Sequence, residues 1–479
     1  MLRQLISAVA LVVVLAVSGC GIELRTPSPA ELTSDSAGPS EAQAPVDPYV
    51  QPRTAPELPP ISEIPLVPAP GQTVVSLTFD DGRASALTAA EIMTKYGLTG
   101  TFYVNSGTVG TPDHFTLPDL DAMAAAGHEI GGHTLNHENL GTLGVDEVRR
   151  QICDDRVALL QWGFPVRSFA FPFGAAPESG EQAVRECGYN SARGLGGLYS
   201  FAADENCRWC EPAEQLPPEN PMLTRAPDQV AITWTAADME RLITDAGPGW
   251  VQMTFHGVCP SDCDDIGTPV GEFEQFVNWL ADQQQAGTLL VSTVGDAIGG
   301  PVQPAVSGPV AAPAPPGVNA VVNPGMDTAG VDGMPDCWMR GGFGANTPEF
   351  SVVPTGRDGS LAGRLLLDGH IDGAAQWLPT TDLGTCAPSV AAGQRYTLEA
   401  WYTATVPTSF TVQYRLARGV WAYGTTSPEF PPASQFQLAR WTMPPVPDGV
   451  TAISFGLTLT QDGELVTDDY AMFEGESAP

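Results

Sequence analysis

The sequence predicts two folded parts, an α/β barrel over residues 71–300 followed by an all-β sandwich over residues 318–477. The first part alternates short apolar runs with stretches of helical apolar spacing, which is typical of parallel strands joined by helices. The second part has short alternating runs punctuated by turn residues, which is typical of antiparallel sheets. Two Pro-rich segments, 21–70 and 301–317, are predicted to be a disordered spacer and an inter-domain linker.

The elements of both parts can be predicted in order from these runs. The first part is predicted to contain buried strands at 73–79, 100–105, 128–133, 168–173, 250–255 and 288–293. Its predicted helices are 86–96, 116–127, 144–162 and 271–285. Thr116 and Asp119 have the spacing that marks a helix start. The second part is predicted to contain strands at 364–369, 396–404, 409–417 and 451–459.

The composition limits the possible partners of the chain. It carries 21 Lys and Arg residues against 55 Asp and Glu residues, which gives a formal net charge of −34. A field of that sign repels phosphate backbones, so we expect no nucleic-acid partner. Hydrophobic residues make up 43% of the chain, enough to bury sizeable cores. The sequence does not indicate the oligomeric state.

Residues 1–20 have the features of an export signal. Arg3 supplies a basic start, and the apolar run 5–17 is short for a membrane span, which needs about 20 residues. The ending Val-Ser-Gly-Cys resembles a bacterial lipobox, which implies that Cys20 is acylated. The alternative is an ordinary signal peptide with a chance cysteine. We therefore expect an exported protein that is lipid-anchored to the outer face of the cell membrane.

The densest chemical signal follows the first predicted strand, where TFDDG places Asp80 and Asp81 side by side. Adjacent residues after a strand point in different directions, so one carboxylate can bind a metal while the other serves as a base. By itself the pair is weak evidence, because Asp and Gly are also ordinary turn residues.

Two histidines, His133 and His137, follow the third predicted strand in HTLNH. At this spacing their imidazoles can reach one point if the segment is helical or tightly turned. The chain has only six histidines, so this pair beside an aspartate pair indicates a metal site. With Asp81 they form a ligand set that suits zinc or a related divalent ion and leaves positions open for water and substrate.

Two further motifs are FAFPFG at 169–174 and MTFHG at 253–257, which places His256 at the end of a strand. Alone, His256 would be interpreted as a hydrogen-bonded core histidine. All four motifs follow strands, at the end of the barrel where enzymes of this fold carry their active sites. The four together therefore indicate a catalytic site.

In this order, TFDDG, HTLNH, FAFPFG and MTFH resemble the motifs of the polysaccharide deacetylase domain (NodB homology, carbohydrate esterase family 4), over roughly 71–300. The resemblance implies a distorted (β/α) barrel that uses a divalent metal to remove N- or O-acetyl groups from polysaccharides. Zinc is the expected metal, with Co²⁺, Ni²⁺ or Mn²⁺ as alternatives.

The resemblance also implies roles for individual residues. Asp80 would be the general base and His256 the general acid, and the backbone N–H of Phe173 would stabilise the oxyanion. The implied metal ligands are Asp81, His133 and His137.

One position departs from the family pattern. Many members have an arginine before the Pro-aromatic-Gly turn, and that arginine orients the base, whereas this chain has Ala170. The motif is similar to that of the subgroup with Phe-Ala-Tyr-Pro-aromatic-Gly, so activity is still expected. We expect the arginine support of Asp80 to be absent.

Eight cysteines follow Cys20, and an even number in an exported protein predicts disulfides. The predicted pairs are Cys153–Cys187, Cys207–Cys210, Cys259–Cys263 and Cys337–Cys386. The alternative for the second and third pairs is one four-cysteine zinc site.

The second part, which opens on Val-Asn-Pro-Gly-Met, is similar to jelly-roll carbohydrate-binding modules, although its tryptophans are also compatible with a plain sandwich core. We expect the whole chain to remove acetyl groups, N-acetyl foremost, from a polysaccharide at the cell surface. The alternatives are an O-acetyl esterase on acetylxylan-like polymers and a non-catalytic glycan-binding protein. Peptidoglycan, chitin-like chains and xylan all remain candidate polymers.

Overall fold

The computed structural model describes residues 53–201, 207, 209–260, 263–330 and 333–475. These residues belong to one compact unit, Gln43–Pro479. The predicted signal peptide, Cys20 and the spacer as far as residue 52 lie outside the described residues. Within the described part of the chain, no helix is both long enough and apolar enough to cross a membrane.

Eight parallel strands form a half-barrel sheet in the α/β part. They are β1 (Thr73–Phe79), β2 (Thr101–Val104), β3 (Glu129–Gly132), β4 (Ser168–Ala170), β5 (Ser191–Gly197), β6 (Thr224–Ala226), β7 (Gly249–Phe255) and β10 (Leu289–Val291). The sheet runs in sequence order from β1 to β6, with both β7 and β10 paired to β1. Two short strands, β8 (Gly257–Cys259) and β9 (Gly267–Pro269), pair separately.

Among the described residues, seven helices accompany the sheet: α1 (Leu87–Lys95), α2 (Leu117–Ala125), α3 (Val145–Gln161), α4 (Glu178–Glu186), α5 (Ala236–Ala246), α6 (Val270–Ala286) and α7 (Val294–Ile298). Every residue of β1 is buried, as expected for a parallel strand that is covered on both faces. The Phe79 ring stacks on Phe102 and Phe255, at centroid distances of 4.6 and 5.3 Å. The predicted start of α2 is confirmed, because Thr116 and Asp119 form a capping box.

The second part is a sandwich of two five-stranded antiparallel sheets. Its strands are β11 (Trp338–Phe343), β12 (Thr347–Val353), β13 (Ala362–Asp368), β14 (Ala374–Pro379), β15 (Tyr396–Ala404), β16 (Ser409–Leu416), β17 (Trp421–Thr426), β18 (Ala433–Thr442), β19 (Val450–Leu459) and β20 (Gly463–Glu474). The sheet orders are β11-β14-β19-β16-β17 and β12-β13-β20-β15-β18. Trp338 and Trp377 are buried in the core between the sheets. The predicted fold class, a distorted α/β barrel followed by an all-β sandwich, is confirmed, with the barrel present as a half-barrel sheet.

Seven strands and helices of the α/β part were not predicted, namely β5, β6, β8, β9, α4, α5 and α7. The two Pro-rich segments also differ from expectation where they are described. Residues 53–70 lie against the α/β part: Arg167 donates to the carbonyl of Ser62 at 2.6 Å, and Leu66 N–H donates to Ala297. Hydrogen bonds to backbone groups of residues 53–70 therefore hold this part of the predicted spacer against the α/β part.

Segment 301–317 is likewise attached to α3. Arg156 donates to the carbonyls of Gln303 and Pro304, at 2.8 and 3.1 Å, and Arg150 donates to Pro309 at 2.8 Å. Asp154 accepts from the Gly308 N–H at 2.7 Å. The connection between the two parts is therefore bound along one helix.

All four predicted disulfides are present: Cys153–Cys187, Cys207–Cys210, Cys259–Cys263 and Cys337–Cys386. The cysteines of the second and third pairs are each bonded within their own short segment. The alternative four-cysteine zinc site is therefore wrong.

Candidate active site

The four sequence motifs lie at the carboxyl ends of parallel strands, as predicted. Asp80 and Asp81 follow β1, His133 follows β3, and His256 follows β7. Asp81 has a φ of 70°, so the backbone turns sharply between the two carboxylates and separates their directions. Asp80 and His256 are buried, with 6% and 8% of their surfaces exposed.

Asp81, His133 and His137 form a cluster in which one ligand atom of each lies within 4.8 Å of the others. The Nε2 atom of His137 is 3.1 Å from Asp81 Oδ1, and that of His133 is 3.5 Å from the same oxygen. The segment that holds the histidines is tightly turned instead of helical: Thr134 and His137 have φ values of 70° and 58°. Thr134 Oγ1 accepts from the His137 N–H at 3.0 Å and fixes this turn.

Outer hydrogen bonds orient the His133 ring. Its Nδ1 lies 2.8 Å from the carbonyl oxygen of Ala170. Because a carbonyl oxygen only accepts, Nδ1 carries the proton, and Nε2 is left to face Asp81. Asn105 donates to the carbonyls of His133 and Thr134. This arrangement of imidazole and carbonyl is common around metal-binding histidines.

The electrostatics of the cluster fit a cation. Burial raises the pKa of Asp81, but the imidazoles of His133 and His137 that face it hold it well below its usual range. Asp81 Oδ1 is buried without a hydrogen-bond partner among the described residues. One carboxylate and two imidazoles directed at one point are a donor set that divalent zinc accepts. These three residues therefore fit a divalent metal.

Asp80 has an arginine partner, so the prediction that this support is absent is wrong. Arg193 Nη2 donates to Asp80 Oδ2 at 2.5 Å, and Nη1 donates to Thr254 at 2.9 Å. The arginine comes from β5, where Arg193 is the direct register partner of Ala170 on β4. Its guanidinium carbon lies 5.5 Å from the centre of the Tyr103 ring. Support for Asp80 therefore comes from the strand next to the expected one.

Phe173 and His256 flank the cluster. Phe173 lies in a short turn after β4 with a φ of 58°, and its ring centre is 4.6 Å from that of His137. Burial lowers the pKa of His256, although the carboxylates of Asp80 and Asp81 oppose this effect. His256 Nδ1 is buried without a hydrogen-bond partner among the described residues.

A cavity of about 550 Å³ opens onto the cluster. Asp81 and His137 form part of its wall, together with Asn105 and Arg83. Arg83 donates to Asp81 Oδ2 at 3.0 Å and to Asp264 at 2.5 Å, so its charge is balanced by two carboxylates. The metal-ligand cluster is therefore open to a ligand from solvent.

Sequence reasoning missed Arg193, Asn105 and Arg83. Arg83 stands two residues after Asp81 and directly after the TFDDG motif, so its position next to the motif was a usable signal. Asn105 ends the run 100–105 and could also have been suspected, because polar residues after strands line this end of the sheet. Arg193 had no such signal, since its strand was not predicted.

In the α/β part, acidic and imidazole side chains converge at the carboxyl ends of the parallel strands. Residues 68–192 match the family model described as Polysaccharide deacetylase.

Several known proteins are similar to parts of the chain. Peptidoglycan-N-acetylmuramic acid deacetylase PdaC of Bacillus subtilis (strain 168) is 36% identical over 87 residues, 18% of this chain and 18% of that protein. A chitin deacetylase of Pestalotiopsis sp is 33% identical over 85 residues, 18% of this chain and 28% of that protein. A family 4 acetyl xylan esterase from Clostridium thermocellum, solved with a cobalt ion, has 19% identity and a TM-score of 0.33, covering 47% of this chain and 89% of that one. The matches span less than half of the length of the curated relatives.

Proposed function

We propose that the protein is a metal-dependent hydrolase that removes acetyl groups from a polysaccharide, with N-acetyl groups as the main target. The observation that carries this proposal is the cluster of Asp81, His133 and His137 beside the Asp80–Arg193 pair, with Asp81 and His137 in the wall of one cavity. The match of residues 68–192 to the deacetylase family model supports it.

In this proposal Asp81, His133 and His137 hold the metal, which is zinc foremost, with Co²⁺, Ni²⁺ or Mn²⁺ as alternatives. Such an ion, when bound, polarises an acetyl carbonyl and makes a nearby water more acidic. Asp80 takes the proton from the water that attacks the acetyl carbon. Arg193 keeps the Asp80 carboxylate in one orientation, because both side chains are almost fully buried and share a hydrogen bond.

Two other groups complete the proposed reaction. The backbone N–H of Phe173 donates to the oxygen that becomes negative as the tetrahedral intermediate forms. His256 gives a proton to the leaving amine nitrogen of the sugar, so acetate and a free amine result. Both groups flank the metal-ligand cluster, which supports their assignment.

The relatives favour the amide over the ester as substrate. Two of them are named for the removal of acetyl groups from peptidoglycan and chitin, both of which carry N-acetyl groups. The alternative is O-acetyl removal from acetylxylan-like polymers, because the same attack cleaves an ester.

The test is acetate release from peptidoglycan, chitin oligosaccharides and acetylxylan, with and without a chelator. We expect release from an N-acetylated polymer that stops on chelation. Release from acetylxylan alone would instead support the ester activity. No release from any polymer, with intact glycan binding, would support a non-catalytic glycan-binding protein.

We also propose that the sandwich binds sugar chains. Phe343 and Tyr423 are exposed to 72% and 64% on opposite edge strands of one sheet. The strand register places both rings on the face of this sheet opposite the core. Exposed rings on such a face can stack on sugar rings. Tyr423→Ala should weaken sedimentation of the full chain with its insoluble polymer, and unchanged sedimentation would count against this role.

We further propose that the protein is exported and anchored by lipid at Cys20. The support is the sequence pattern of residues 1–20, together with the four disulfides, which form in oxidising compartments. Cys20→Ser should move the protein from the membrane fraction to the soluble fraction without loss of deacetylase activity. Continued membrane fractionation would point to an uncleaved apolar segment instead.

A further inference from the structure

The sandwich contacts the α/β part next to the metal-ligand cluster. The contact is made by the turn between β16 and β17, which lies against the segment that follows β2. Arg418 Nη1 in this turn donates to the carbonyl oxygen of Ser106 at 2.6 Å. The next residue, Gly419, is buried, and a Cβ added there would lie 3.5 Å from a methyl group of Leu135. Leu135 itself stands between the two histidines of the cluster.

Ser106 is connected in turn to the backbone of His133. The Ser106 N–H donates to Asp155 Oδ1 at 2.9 Å, and the His133 N–H donates to Asp155 Oδ2 at 3.1 Å. Ser106 and Asp155 are both fully buried, so water does not compete for these bonds. A continuous chain of hydrogen bonds therefore runs from Arg418 on the sandwich to one residue of the metal-ligand cluster.

The segment after β2 also holds the histidine turn directly. Asn105 donates to the carbonyls of His133 and Thr134, and the Gly107 N–H donates to Leu135 at 2.9 Å. Thr134 has a positive φ, which a threonine adopts only when the surrounding structure imposes it. The histidine turn therefore depends on where this segment lies, and Arg418 fixes one of its carbonyls.

We propose that the sandwich forms part of the framework of the metal site, and that Arg418 is a positioning residue that acts on His133 through Ser106 and Asp155. This proposal rests on the metal binding in the proposed function and goes beyond it, because it gives the second domain a role in the active site. Outer hydrogen-bond partners of metal ligands typically contribute 10–100-fold to metal affinity. Arg418 lies further out, so we expect the lower end of that range.

The test is the zinc dissociation constant of the full chain, measured by competition with a chromophoric chelator. Arg418→Met keeps the side-chain stem and removes the donors, so zinc binding should weaken about tenfold. Arg418→Lys keeps one donor and should recover part of the loss. The matched control is Arg440→Met, which removes an arginine paired with Glu399 on the sandwich and should leave the constant unchanged.

A double-variant cycle tests the route. If Arg418 acts through Asp155, Asp155→Asn alone should weaken zinc binding, and the double variant with Arg418→Met should weaken it by less than the product of the single effects. Independent, multiplicative effects would overturn the route through Asp155. Thermal unfolding of the metal-free variants shows whether each one is folded.

The possible failures are distinguishable. A wild-type chain that binds no zinc would contradict the proposed function itself. A wild-type chain that binds zinc, with the same constant in Arg418→Met, would overturn the positioning role even if the variant unfolds at a lower temperature. If Arg418→Met does not fold, Arg418→Gln and Arg418→Lys test the positioning role instead. A zinc dissociation constant equal to that of the wild type in both variants would also overturn this role.

Discussion

Asp80 and Arg193 form the residue pair on which the proposed base depends. Many proteins of the family that the motifs resemble have an arginine at the position of Ala170, whereas here the guanidinium reaches the carboxylate from Arg193, the register partner of Ala170 on the adjacent strand. The side chains of the pair are 8% and 2% exposed, so solvent screens their interaction only weakly. The orientation of Asp80 is therefore set by a residue that the motif does not contain.

Arg193→Ala should lower kcat about 10²-fold and leave zinc binding intact, because a poorly oriented base costs rate while the three metal ligands are untouched. Adding Ala170→Arg to this variant should restore part of kcat, because position 170 is the register partner of position 193 and a guanidinium placed there can also reach Asp80. Acetate-release kinetics and metal content measure both effects. Arg193→Lys controls for the loss of a buried charge, and full activity of a folded Arg193→Ala would contradict the orienting role.

At the scale of elements, sequence reasoning was most successful where strands are continuously apolar. Strand β1 was predicted to the residue, and the strands that lead into all four motifs were found, so Asp80, Asp81 and the histidines could be placed at one end of the sheet. Strand β5 was missed because its sequence, SARGLGG, contains three glycines and an arginine, which are weak strand formers. Strand β5 is stabilised by its pairing with β4 and not by the strand propensity of its own sequence, so the place of Arg193 in the site could not be predicted.

The junction of α1, β2 and β3 contains a buried histidine that should make stability depend on pH. His128 Nδ1 accepts from the Gly100 N–H at 3.1 Å, and Nε2 lies 3.2 Å from the Ala90 carbonyl, so the neutral ring is satisfied. Burial lowers the pKa of His128 to about 4. Between that value and the ordinary value of about 6.5, the unfolded chain binds a proton that the folded chain does not. Stability is therefore lost as the pH falls through this window.

We expect the free energy of unfolding to fall by up to about 3 kcal/mol more between pH 7 and pH 4 in the wild type than in His128→Gln, which has no proton to gain. Urea unfolding at several pH values measures this difference. Parallel pH profiles for the two proteins would show that His128 does not titrate differently on folding.

At the scale of the whole molecule, the sandwich is joined to the α/β part by specific contacts. The Leu383 N–H donates to Glu147 on α3 at 2.9 Å, and Arg150 on the same helix donates to Thr385 at 3.4 Å. The sequence predicted both parts and the segment between them. It could not predict that the parts dock, because the docking residues are polar groups far apart in the chain whose pairing no local pattern marks.

The disulfide Cys337–Cys386 joins the residue before β11 to the loop after β14, which contains the docking residues Leu383 and Thr385. It joins cysteines 49 positions apart, whereas Cys207–Cys210 joins cysteines three positions apart. Replacing both Cys337 and Cys386 by alanine should lower the free energy of unfolding by about 2–4 kcal/mol. Replacing Cys207 and Cys210 should lower it by less, because opening a longer loop increases the entropy of the unfolded chain more. Urea unfolding checks both variants. Equal losses would contradict a loop-length effect.

The proposed function gives the neighbouring aspartates separate roles, with Asp81 on the metal and Asp80 on the water. The most direct measurement is zinc content and acetate release, taken together on Asp80→Asn and Asp81→Asn. Asp80→Asn should keep its zinc and lose about 10²–10⁴-fold in kcat, the usual contribution of a general base. Asp81→Asn should lose zinc, and excess zinc should restore part of its rate. Near-full turnover in Asp80→Asn, or full zinc occupancy in Asp81→Asn, would contradict the assignment.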